Sequence, residues 1–255
     1  MDTSSHNEAI IEQFTRQAEP FSRRHGQQEM LDLMLRLSRV GSSDVVLDVA
    51  CGPGIVACSF AAIARHVTGI DITPAMLDRA RALQQERSLR NLEWKCGDVN
   101  PLPFSDGGFS LVVTRYSFHH FLSPADVLSE MVRVCRPGGR ILVVDVGPAA
   151  DKLSAYDHFE KLRDPSHVHA LSPEALHRLI VSAGLLGIET AFYSLEMELE
   201  EQLTASFPNS GDADRIRQLF RDDLGKDRLG VGARLERGEI RFAYPTAAIV
   251  ATKSA

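Results

Sequence analysis

Between residues 44 and 146, short runs of Val, Ile and Leu alternate with amphipathic stretches, and this rhythm restricts the chain more than any other feature. VVLDVA (45–50), VTGID (67–71), LEWKC (92–96), FSLVVTR (109–115) and RILVVDV (140–146) have the length and composition of buried strands. The segments 55–65, 74–87 and 124–135 carry apolar residues at helical spacing, as in Val127, Met131 and Val134. Such alternation predicts a parallel sheet with helices on both faces. The turn residues agree. Pro74 after Thr73 opens a helix, and Arg136-Pro137-Gly138-Gly139 closes another before the fifth strand.

Residues 7–18 and 27–39 read as two further helices ahead of the first strand. Beyond 146 the pattern predicts helices over 149–163 and 173–183, a strand over 187–198, a charged helical insertion over 199–236 and a last strand over 240–252. Pro245 inside that last segment argues for a place at the sheet edge. With 255 residues, one domain is expected: an N-terminal helical cover at 1–40, a ligand-binding core at 41–147, and helices, insertion and last strands at 148–255.

Charge and hydropathy exclude several functions. A net charge of −6 supplies no basic field for nucleic acid or an anionic membrane. The apolar runs are strand-sized, far below the roughly 20 residues that span a bilayer. The N-terminus is polar and lacks the features of a signal peptide, so a cytoplasmic location is expected. Cys51, Cys58, Cys96 and Cys135 form no C-x-x-C pair and read as reduced thiols.

The ligand signal lies in Asp48-Val49-Ala50-Cys51-Gly52-Pro53-Gly54, at the C-terminal end of the first strand, where open α/β sheets bind their ligands. Gly52 and Gly54 permit backbone conformations and a close approach that a Cβ would obstruct. Asp71 ends the second strand, where an acidic residue accepts hydrogen bonds from a ribose diol. Together they point to an adenosine-type ligand. Gly52-x-Gly54-x-x-Ala57 also satisfies the dinucleotide fingerprint, which keeps a nicotinamide dehydrogenase in view. Asp48 speaks against it. A carboxylate about 4 Å from a pyrophosphate charge costs on the order of 4 kcal/mol at an effective dielectric near 20. A ligand bringing an ammonium and a sulfonium turns the same charge into an attraction.

VVLDVACGPG, GIDITPAMLDRAR, CGDVNPLPF, DGGFSLVVTRYSFHHF and EMVRVCRPGGRILVVD, in that order over about 44–146, resemble class I S-adenosylmethionine-dependent methyltransferases, in particular the branch of ubiquinone/menaquinone-biosynthesis methyltransferases. The resemblance implies an α/β, Rossmann-like, seven-stranded, mostly parallel sheet with an N-terminal helical lid, to which Phe14 and Phe21 belong. It implies S-adenosyl-L-methionine as cofactor. Asp48, Ala50, Gly52 and Gly54 would line the methionine moiety, and Asp71 would hold the ribose hydroxyls. Ile72 and Met76 would pack on adenine, with Asp98 and the Val99 backbone at its edge, Arg115 at the methionyl end and Phe14 above. One departure is Ala50, where many members have glycine.

On the acceptor side, Thr114-Arg115-Tyr116-Ser117 replaces the Asn/Asp-Pro-Pro-aromatic motif of the enzymes that methylate amino groups of nucleic acids, and Asp145 is the one nearby acid, so no metal is expected. A small organic acceptor, no covalent nucleophile and a monomer or homodimer are expected. A non-methylating reaction on the same fold is the alternative. His119 and His120 follow the fourth strand, and His167 sits in an Asp164, Ser166, His167, His169 cluster; these three histidines are the candidate bases, with His119 favoured.

Overall fold

The apolar runs become the strands of one sheet, and the two segments that read as most polar turn out to roof it. The computed structural model describes residues 3–22 and 28–254, with side chains over 3–19 and 28–254; Phe21 lies outside the described side chains. In chain order the elements are α1 (Thr3–Ser22), α2 (Gln28–Ser38), β1 (Val45–Val49), α3 (Ile55–Ala61), β2 (His66–Asp71), α4 (Pro74–Glu86), β3 (Leu92–Cys96), β4 (Phe109–Arg115), a 3-10 turn (Phe118–His120), α5 (Pro124–Val134), β5 (Cys135–Val146), α6 (Leu153–Arg163), α7 (Pro173–Ser182), β6 (Leu185–Glu198), α8 (Leu199–Ser206), α9 (Asp212–Asp223), β7 (Arg234–Glu236) and β8 (Glu239–Lys253).

The strands run in the order β3-β2-β1-β4-β5-β8-β6, with β7 paired to β8. The pairs from β3 to β5 are parallel, and β8 is antiparallel to both β5 and β6. The chain order reverses between β1 and β4, which opens a crevice at their C-terminal ends. Side chains alternate across the sheet as the pleat requires. Leu47 and Val49 join Val127, Met131 and Ile180 on one face, while Val46 joins Met34, Phe60 and Leu142 on the other.

Three expectations change. Among the described residues the sheet has eight strands, not seven, because the end of the 199–236 insertion forms β7 and folds back as a hairpin on β8. LEWKC is an edge strand with exposed residues, not a buried one. The last strand is interior, between β5 and β6. Pro245 fits there because β5 pairing stops at Val146↔Thr246, so no ladder partner asks for the missing N–H, and Gly147 N–H donates to Pro245 O at 2.8 Å.

The insertion builds a third core above the C-terminal edge of the sheet. Tyr156 and Phe159 of α6, Phe220 of α9, and Phe242 and Tyr244 of β8 form a chain of edge-to-face contacts with centroids 4.9–5.3 Å apart along Tyr156–Phe159–Phe220–Phe242–Tyr244. Against this cap and α4 lies α1: Gln13 Nε2 donates to Ser206 O at 2.6 Å, and Arg79 of α4 lies 3.4 Å from Glu19. Among the described residues no helix is long and apolar enough to cross a membrane.

Candidate active site

The loop after β1 turns sharply enough to bring backbone, not side chains, to the crevice. Ala50 and Gly52 both adopt left-handed backbone, with φ of 54° and 52°. A Cβ on Gly52 would meet no protein atom within 4 Å, so it would project into the space that the loop borders. Gly54, at φ 78°, serves a different purpose. A Cβ there would stand 2.6 Å from the Trp94 ring and 2.8 Å from Ala80, so its glycine is required by the packing of α3 against α4 and β3.

Around this loop is a cavity of about 250 Å³. Phe14, Asp48, Ala50, Gly52, Asp71, Ile72, Met76, Asp98, Val99, Arg115 and His120 all line it. Gly54 does not, a correction to the expectation that it would. Asp71 accepts from Gly52 N–H and Thr73 N–H, each at 2.8 Å, which fixes its carboxylate at the mouth of the loop and leaves lone pairs for a diol. Asp48 accepts from Ala57 N–H at 3.0 Å, so it also ties the loop to α3. Burial pushes the Asp48 carboxyl up to about 7, against the pull of Arg115 and the Ala57 N–H. Burial raises Asp71 as well, in spite of its N–H partners, and lowers the Arg115 guanidinium. Carboxylates in this condition gain from a cationic or hydrogen-bond-donating ligand.

The cavity is roofed by one face of α1. Thr3, His6, Asn7, Ile10 and Phe14 recur at three- and four-residue spacing and all line it. Asn7 Nδ2 donates to Asp98 Oδ2 at 2.7 Å, and His6 Nε2 donates to His120 O at 2.7 Å. Neither polar anchor is legible in the sequence, because the partners lie far off along the chain. Tyr116 was also missed. It holds φ 55° at the end of β4, an unusual conformation for a bulky residue, with its hydroxyl 3.1 Å from Thr246 Oγ1.

A smaller cavity of about 60 Å³ adjoins the first and shares Phe14, Tyr116 and His120 with it. His119 lines only this second space. Its Nδ1 lies 2.5 Å from Asp145 Oδ1, and its backbone N–H donates to Asp145 Oδ2 at 3.1 Å. Asp145 thereby fixes the tautomer and leaves Nε2 as the available nitrogen. Burial disfavours the charged ring, but Asp145 outweighs it and holds the imidazole above its ordinary range. His120 is pushed well below its range by burial and by the neighbouring His119, and its ring packs edge-on to Phe14 with centroids 5.1 Å apart. His167 lines neither cavity. Its Nε2 lies 2.7 Å from Asp157 Oδ1, Asp157 also holds His169, and the ring packs 5.5 Å from that of His119. The structure therefore places His167 outside both cavities, against the expectation of a base there; it supports the loop instead.

Residues 47–143 match the methyltransferase domain family. Over 146 residues the chain is 34% identical to YcgJ, an uncharacterized methyltransferase of Bacillus subtilis (strain 168), covering 56% of this chain and 58% of that protein. Over 119 residues it is 34% identical to the ubiquinone/menaquinone biosynthesis C-methyltransferase UbiE of Roseobacter denitrificans, covering 44% of this chain and 47% of that one. The chain thus spans about half the length of the curated relatives that it matches. The fold carries further: the crystal structure of YcgJ superposes with a TM-score of 0.82 at 24% identity, covering 89% of this chain and 99% of that one. A putative methyltransferase from Bacillus halodurans C-125 gives 0.79 at 25%, covering 89% and 100%. With the glycine loop, the acid ending β2 and the strand order all in place, the methyltransferase domain over residues 47–143 and these relatives support a class I S-adenosylmethionine-dependent methyltransferase.

Proposed function

We propose that the protein transfers a methyl group from S-adenosylmethionine, held in the larger cavity, to a small organic acceptor entering the smaller one. The observation that carries this reading is the junction of the two cavities at Phe14, Tyr116 and His120, beside the loop that the family uses for its cofactor. The residues fit the group. Asp48 faces the end where an ammonium belongs, Asp71 offers lone pairs to a diol, Asp98 offers an acceptor to an amino group, and Ile72 and Met76 supply an apolar wall. A phosphate-bearing dinucleotide would instead meet carboxylates.

When bound, S-adenosylmethionine supplies a methyl carbon already activated by its sulfonium, which an acceptor lone pair attacks in line. The protein's share is to align and to dry the site. α1 closes the larger cavity, through Asn7 on Asp98 and His6 on the His120 carbonyl. Tyr116 and His120 separate the two spaces, and Asp145 presents His119. A cytoplasmic setting, a monomer or homodimer and the absence of nucleic-acid partners complete the reading, supported by the acidic charge of the chain.

The test is to incubate the protein with S-adenosylmethionine and metabolite fractions, following S-adenosylhomocysteine release together with an acceptor mass gain of one methyl. Cofactor consumption without a methylated product would favour a different reaction on the same fold. Absence of any S-adenosylhomocysteine binding by calorimetry would remove both.

A further inference from the structure

The smaller cavity is lined by more buried charge than a passive acceptor pocket needs, and its pairing is one-sided. Arg163 is the guanidinium in its wall, and it is already engaged: Nε and Nη2 donate to Glu160 at 2.6–3.0 Å, while Nη1 donates to Ser206 Oγ at 3.2 Å and lies 3.8 Å from Asp164. Glu160 also accepts from Tyr244 at 2.8 Å. Arg163 and, while it is protonated, His119 are thus set against three buried carboxylates, Glu160, Asp164 and the Asp145 behind His119. An incoming anion finds a guanidinium whose three nitrogens each already donate within the protein, beside an excess of carboxylates that repel it.

A second, independent observation points to a ligand. Gln17 of α1 is fully buried and lines this cavity. Its amide nitrogen donates to Ser206 O at 3.2 Å and to Asp164 Oδ2 at 3.3 Å. Both partners are acceptors, so the amide nitrogen faces them and Oε1 faces the other way. That oxygen has no hydrogen-bond partner. A buried carbonyl oxygen left unmade is costly, and a donor from a ligand satisfies it. Gln17 lies on the same helix face as Phe14, so one element spans both cavities.

We infer that the smaller cavity is the acceptor subsite and that it takes an uncharged, hydroxyl-bearing acceptor with two hydrogen-bond donors. The reacting hydroxyl faces His119 Nε2, and a second O–H or N–H faces Gln17 Oε1; carboxylate and phosphate acceptors are turned away. This rests on the methyl-transfer reading. The step balances simply. The hydroxyl oxygen's lone pair takes the methyl carbon, the carbon–sulfur electron pair stays on sulfur to leave neutral S-adenosylhomocysteine, and the hydroxyl proton passes to His119 Nε2. Asp145 is a positioning residue here. His119 faces Asp145 on β5, Glu160 and Arg163 on α6, His120 beside it in the 3-10 turn and His167 in the loop after α6. Its protonation follows that whole set.

The test is binding, so it does not depend on knowing the natural acceptor. Protein saturated with S-adenosylhomocysteine is titrated with phenol, resorcinol and benzoate, with shifts of the histidine and Gln17 side-chain signals read by NMR. Resorcinol is expected to bind more tightly than phenol, and benzoate not to bind. Gln17→Leu should erase the resorcinol advantage, and His119→Asn should weaken both uncharged probes while S-adenosylhomocysteine affinity by calorimetry stays within about twofold. Binding of the uncharged probes should strengthen as pH rises and His119 loses its proton. Benzoate binding as tightly as phenol, no saturable binding of either uncharged probe, or probe affinities indifferent to both substitutions would each overturn the assignment. Should either variant fail to fold, the wild-type preference between resorcinol and benzoate decides the question alone. If wild-type protein does not bind S-adenosylhomocysteine at all, the methyl-transfer reading falls; titration of the unliganded protein then still reports on the cavity.

Discussion

Asp48 shows how much one side chain carries in this site. It is 1% exposed, stands one residue before the end of β1, ties α3 through Ala57 and feels the charge of Arg115, and burial raises its carboxyl to about 7. It ties the loop to α3 while lining the larger cavity. A ligand ammonium would favour the ionised form, so binding near neutral pH should release a proton, and S-adenosylhomocysteine affinity should rise between about pH 6 and 8. Calorimetry in buffers of different ionisation enthalpy measures this; a proton count of zero would place the ammonium elsewhere. Asp71→Ala should weaken S-adenosylhomocysteine binding by about 2–4 kcal/mol, read by calorimetry on folded protein, because it removes the diol acceptor and also frees Gly52 and Thr73. Ala50 was legible as a departure from the family's glycine. Its φ of 54° gives the physical meaning: a left-handed alanine costs about 1–2 kcal/mol, against roughly 0.5–1 kcal/mol for glycine's extra freedom when unfolded. Ala50→Gly should therefore raise stability by about 0.5–1 kcal/mol in chemical denaturation.

At the scale of elements, the strands of the core were readable because burial on both faces writes itself as unbroken Val, Ile and Leu, as in β4 and the second half of β5. LEWKC misled because composition alone does not distinguish an edge, and β8 misled because proline reports on one missing N–H and says nothing about neighbours. The helix α1 was legible as a cover, but not the contacts that hold it down. Its anchors are Asn7, His6, Gln13 and Gln17, whose partners Asp98, His120, Ser206 and Asp164 lie far off in sequence. Such anchors can break and re-form against water at low net cost, whereas a packed apolar face cannot. With the larger cavity beneath it, α1 is expected to open for exchange and to close on ligand. Hydrogen exchange of residues 7–19 should slow when S-adenosylhomocysteine is added. Equal protection in both states would make α1 a fixed wall.

At the scale of the molecule, the aromatic cap sits at the C-terminal edge of the sheet core, and both cavities are lined from core, cap and α1. The core half of the site was legible because its ligand contacts sit in one contiguous loop and at strand ends. The cap half was not, because Gln17, Glu160, Arg163 and Tyr244 are brought together from three separate elements by packing alone. A ligand bridging loop, strand ends and α1 stabilises all of these together, which makes whole-molecule stability a sensitive reporter. At a free S-adenosylhomocysteine concentration of about 100 times Kd, mass action adds about 2.7 kcal/mol to the folded state. For a domain of this size each kcal/mol shifts Tm by about 2–4 °C, so a rise of roughly 5–11 °C is expected in a thermal scan. NAD at the same concentration should give no comparable rise, since its pyrophosphate would face Asp48 and Asp71 with Arg115 already balanced against Asp48. A larger shift with NAD than with S-adenosylhomocysteine would mean that the loop holds a dinucleotide, and the charge argument drawn from Asp48 would be wrong.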